Sequence, residues 1–207
     1  MTNWSKFIEL LRSQFDPHDL DQNTLQHLEH AYHEIERMWF NFNQDLKPQR
    51  VLIGEATLFR EGSYIYNPAT PNSSFLRPTD FPGEPSGDKD KLLQLLKCYG
   101  LLIIDAYPFA FNDQDTPHIT YNKRLKSKKF QGFLIEAFNL YCAPKIIRIL
   151  NQNPAAKISF RYKRNDKILG AELDRILKLH SHFQGRSPSV YKQISIDKKK
   201  FQHFLGN

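Results

Sequence analysis

Cysteine is scarce in this chain. Cys98 and Cys142 are the only two among 207 residues and lie far apart, so neither a disulfide framework nor a cysteine-rich metal site is available. A reduced, cytoplasmic setting is expected. Long apolar runs are also missing: nothing approaches the roughly 20 residues needed to cross a bilayer. Trp4, Lys6, Glu9 and Arg12 interrupt the first segment, so no signal-peptide core is expected. His27, His30 and His33 recur at helical spacing, yet without an H-E-x-x-H pattern or a nearby cysteine they read as a solvated helix face. There is no internal repeat and no glycine- or serine-rich linker. The chain therefore reads as one domain over residues 1–207, expected as a monomer without a cofactor.

What is present begins with charge. A net charge of +7 favours a polyanionic partner, while 40% hydrophobic and 25% charged residues are ordinary for a globular protein. Trp4, Phe7, Ile8, Leu11 and Phe15, then Leu25, Leu28, Tyr32, Ile35 and Trp39 from Asp21 onward, predict two amphipathic helices in residues 1–47. Val51-Leu52-Ile53 and Leu101-Leu102-Ile103-Ile104 are short unbroken apolar runs, as expected of strands buried on both faces. Each ends near an acid, Glu55 after Gly54 in one case and Asp105 in the other. Ligands of open α/β sheets bind outside the carboxyl ends of the strands, so both acids are candidates for chemistry; a surface carboxylate that merely caps the next segment is the plain alternative for Glu55.

Between these strands, residues 57–87 carry five prolines and the aromatics Phe59, Tyr64, Tyr66, Phe75 and Phe81, which predicts an ordered loop over the crevice. Leu92, Leu93, Leu95 and Leu96 mark a helix that stops at Gly100. Lys123, Arg124, Lys126, Lys128 and Lys129 form a basic cluster, read either as a phosphate-facing patch or as a solvated charge run, ahead of a helix through Phe130 and Phe138. Pro144 reads as the start of a further short helix. Alternation over Ala155–Lys163 predicts a half-buried strand, followed by a helix over Asp166–His180, a loop through Ser187-Pro188-Ser189 and a closing helix from Asp197. The fold class is thus α/β, a three-layer α/β/α arrangement with a mainly parallel central sheet and a helical lead-in.

Gly54-Glu55-Ala56, followed by Tyr64-Ile65-Tyr66-Asn67, resembles the first motif of the uracil-DNA glycosylase-like superfamily, and the order of parts from Arg50 to Leu205 is similar. The resemblance implies a DNA-repair hydrolase that flips a damaged or deaminated base out of the stack and cleaves its N-glycosidic bond. It implies Glu55 and Asp105 as catalytic residues, and Tyr64, Tyr66, Asn67 and Tyr107 as base-binding residues. Contacts to DNA would come from the loop of Arg186, Ser187 and Ser189, which the resemblance implies, and from Lys126 and Lys128 of the basic cluster. Three departures stand out. Thr57 replaces the usual proline, no histidine occupies Gly185 or Arg186, and Asp105 replaces the asparagine that reads the base edge. As an anion, Asp105 only accepts hydrogen bonds, which suits an amine-bearing base; uracil needs a donor as well. Two cysteines do not match the iron–sulfur branch. Two other functions fit the residues: a non-catalytic nucleic-acid binder on the same fold, and a metal-dependent phosphodiesterase using Glu55, Asp105, Asp113 and Asp115.

Overall fold

Three strands of four residues form the centre: β1 (Arg50–Ile53), β2 (Leu101–Ile104) and β3 (Lys157–Phe160). All pair in parallel, in the order β2-β1-β3. The computed structural model describes residues 4–56, 64–70, 75–111, 115–119, 127–179 and 198–206. Val51, Leu52 and Ile53 are each fully buried, although successive strand residues face opposite sides of a sheet. Both faces are therefore covered, as the three-layer reading requires.

Among the described residues, six α-helices supply the cover: α1 (Trp4–Gln14), α2 (Gln22–Asn43), α3 (Lys89–Cys98), α4 (Lys128–Gln152), α5 (Lys163–Leu179) and α6 (Lys198–Gly206). Their starts follow local chemistry. Asp21, Asp88 and Ser127 cap α2, α3 and α4 by accepting the backbone N–H three residues on, each satisfying a donor that the first turn leaves open. Trp4 stacks on Tyr32 and Phe7 meets Tyr141 edge-on, which binds the helical lead-in to α4. At the other end of the chain, Arg50 donates to the carbonyls of Phe204 and Tyr99, both at 2.9 Å, and so ties α6 to the foot of the sheet.

Two expectations are corrected. Pro144 does not open a new helix: α4 runs through it unbroken. Interior proline costs about 3 kcal/mol, and here Tyr141, Cys142, Ala143, Lys145, Ile146, Ile149 and Leu150 are all buried around it, so packing outweighs the local penalty. The strand expected over Ala155–Lys163 contracts to Lys157–Phe160. The Arg161 N–H still donates to the Ile53 carbonyl at 2.8 Å, but the chain then enters α5 at Lys163, earlier than the expected Asp166.

Candidate functional site at the strand tips

In a sheet of order β2-β1-β3, the chain leaves β1 towards β2, while β3 lies on the other side of β1. The crevice of such a sheet opens between the carboxyl ends of β1 and β3. Glu55 stands there, two residues beyond β1. Its side chain is 11% exposed and its Oε2 forms an ion pair with the Nη2 group of Arg164, in the first turn of α5. Asn165 donates from Nδ2 to the Gly54 carbonyl at 3.0 Å, which fixes the start of α5 against the end of β1. Three buried polar atoms at this junction have no hydrogen-bond partner among the described residues: Oε1 of Glu55, Nε of Arg161 and Oδ1 of Asn165. Buried polar groups are nearly always paired, so these three atoms are ones that a water molecule or a ligand could complete.

Asp105 belongs to the neighbouring tip. The register Ile53 to Ile104, continued by the Ala56 to Tyr107 bridge, sets Asp105 level with Gly54 and Glu55 level with Ala106. The two acids therefore leave the sheet one rung apart and keep different company. A Cβ on Gly54 would lie 2.8 Å from Oδ1 of Asp105 and 3.7 Å from the Phe75 ring, so the absence of a side chain at Gly54 is what admits Asp105, whereas Phe75 would stay in ordinary contact. The negative charge of Asp105 acts on the tyrosines: after burial, it helps to push the phenol of Tyr64 well above its ordinary value.

The expected base-binding residues are placed otherwise. Tyr66 is buried, stacks on Phe42 at 4.4 Å, and uses its hydroxyl on the backbone of β2, accepting from Ile103 N–H at 2.6 Å and donating to Ile103 O at 2.9 Å. It seals the outer edge of the sheet, where unpaired backbone groups need a partner. Tyr64 packs edge-on against it at 5.6 Å and is buried too, and Tyr107 is buried with its backbone N–H on the Glu55 carbonyl. None of the three rings presents a surface for stacking. Asn67 accepts the Ala69 N–H on its own Oδ1 at 3.0 Å, a turn-forming use of the side chain. Lys128 is exposed at the start of α4, whereas Lys126, Arg186, Ser187 and Ser189 lie outside the described residues.

Arg161, Arg164, Asn165 and Tyr162 are functional candidates that the sequence reading passed over. Their signal is faint but present: an Arg-Tyr-Lys-Arg-Asn run directly after an apolar strand is basic where the N-terminus of a helix favours acids. Arg161 is 7% exposed, and burial lowers the pKa of its guanidinium. Among the described residues, no group of three or more His, Cys, Asp or Glu side chains could hold a metal ion; Asp113 lies outside them. The described part also has a groove of about 460 Å³ between α4 and α5, mostly apolar, with Asn139 and Arg175 beside Ala143, Pro144, Ile147, Ile176 and Leu179.

No family model, curated protein or solved structure matches this chain. The functional reading therefore rests on the site itself. No helix among the described residues is long and apolar enough to cross a membrane.

Proposed function

We propose that the protein is a DNA glycosylase-like hydrolase that cleaves the N-glycosidic bond of an extruded base, with Glu55 as its catalytic carboxylate. The observation that carries this reading is the state of Glu55: held at the β1/β3 crevice, anchored through Oε2, with Oε1 buried and lacking a hydrogen-bond partner among the described residues. Oε1, buried and without a partner among the described residues, is the oxygen left to accept a hydrogen bond from a water molecule.

The reaction balances as a hydrolysis. The bond from the sugar's anomeric carbon to the base nitrogen breaks, the electron pair leaves with the base, and the sugar gains oxocarbenium character. Glu55 stabilises that charge and takes a proton from the water that adds to the anomeric carbon, while the base is reprotonated from solvent. At the adjoining tip, the Asp105 carboxylate takes the space that a side chain at Gly54 would need, with the Phe75 ring beside it. A DNA-repair role, a cytoplasmic setting and a monomeric state belong to the same reading.

The test is to incubate the protein with oligonucleotides bearing uracil, hypoxanthine, xanthine or only ordinary bases, and to assay for abasic sites. Release of one modified base supports the reading. One observation favours a second function, non-catalytic nucleic-acid binding: Tyr64, Tyr66 and Tyr107, which the resemblance assigns to the base, are committed to the core. That function predicts salt-dependent binding that survives Glu55→Gln, with no base released from any substrate.

A further inference from the structure

Beside the crevice, two aromatic rings and two guanidinium groups alternate. Phe75 and Tyr162 meet edge-on, with ring centroids 6.1 Å apart and planes at 76°. The guanidinium carbon of Arg161 lies 5.3 Å from the Phe75 centroid, and that of Arg164 lies 5.6 Å from the Tyr162 centroid. The strip is fixed to the sheet, because Arg161 donates to the Phe75 carbonyl at 2.9 Å while its own N–H pairs with Ile53. Both rings are only half-buried, unlike Tyr64 and Tyr66, and Lys163 and Arg164 are exposed next to them.

We propose that this strip is a stacking platform for an unpaired nucleotide flanking the one in the crevice, so that the protein takes its DNA as a single strand. Partly exposed aromatics beside cations suit this ligand: the rings offer faces to bases, and the exposed Lys163 answers a phosphate. Positive charge is further concentrated by the N-terminus of α5, a helix of 17 residues on which Lys163 and Arg164 open the first turn. Arg161 itself, more than nine-tenths buried, holds the strip in place, with its Nη2 on the Phe75 carbonyl and its Nε lacking an acceptor among the described residues. A duplex hides its base faces and could use only the charges.

The nature of the ligand rests on the function proposed above, so the test uses an undamaged probe that requires no base release. Fluorescence anisotropy would compare a labelled oligothymidylate strand with the same strand annealed to oligoadenylate. The expected result is tighter binding of the single strand, weakened by salt. Tyr162→Phe retains that affinity and Tyr162→Ala loses about tenfold. Lys163→Gln, at an exposed position away from Glu55, lowers the salt slope by about one and keeps the test decisive even where Tyr162→Ala fails to fold. Equal or tighter duplex binding, full affinity in folded Tyr162→Ala, or an unchanged salt slope in Lys163→Gln would each overturn the proposal. Single-strand binding without release of any base would leave the platform standing and remove the glycosylase.

Discussion

Gly54 shows how much one missing side chain decides. Its position is level with Asp105, and an added Cβ would stand 2.8 Å from that carboxylate. Gly54→Ala should keep the fold but push Asp105 aside, at a cost of roughly 1–3 kcal/mol in urea denaturation and with loss of base release. Tyr66 is the opposite case, a side chain fully occupied by structure. Tyr66→Phe strands the Ile103 N–H and carbonyl and should cost about 1–3 kcal/mol near neutral pH. It also changes the response to alkali. Burial raises the Tyr66 phenol well above its ordinary 10.0, so the fold keeps that proton while the unfolded chain releases it. The folded state then binds more protons, and stability, intact below pH 10, falls as pH rises beyond it. Denaturation series above pH 10 should therefore show a shallower decline for Tyr66→Phe than for the parent.

Among elements, α2 and α4 are joined by a buried ion pair. The Lys145 ammonium pairs with Glu36, sits over the Tyr141 ring at 3.7 Å and the Trp39 ring at 4.4 Å, and has its pKa lowered by burial. Lys145→Ala would leave Glu36 with only the Tyr141 hydroxyl at 2.7 Å. The expected loss is about 3 kcal/mol, the lower end for a broken buried pair because Glu36 stays a quarter exposed; thermal or urea unfolding measures it. The same helix shows what the sequence leaves unreadable. Pro144 signals a helix start to any local reading, since only tertiary burial on both sides of it decides otherwise. The strand tips were legible because a doubly buried strand must be continuously apolar, so the first polar residues beyond it, Glu55 and Asp105, stand out. The partner of Glu55 was not legible. Arg164 lies 109 residues away, and the order of strands that brings β3 beside β1 is written in packing, with no local signature. Tyr64 and Tyr66 were misplaced for a similar reason. A tyrosine in a proline-rich loop reads alike whether its ring walls a pocket or its hydroxyl closes the edge of a strand 37 residues on.

At the scale of the whole molecule, a buried parallel sheet holds a carboxylate at its switch point, and a net charge of +7 surrounds it. Long-range attraction of a polyanion would account for affinity alone; the proposed hydrolysis would depend on Glu55. The direct test is therefore a paired assay of base release by the parent protein and by Glu55→Gln, on single strands carrying uracil, hypoxanthine or xanthine, with strand binding measured alongside. The account predicts release of at least one base by the parent. It predicts a fall of about 100-fold or more in Glu55→Gln with binding little changed. Equal release by both proteins, or binding by both with no base freed from any strand, would contradict it.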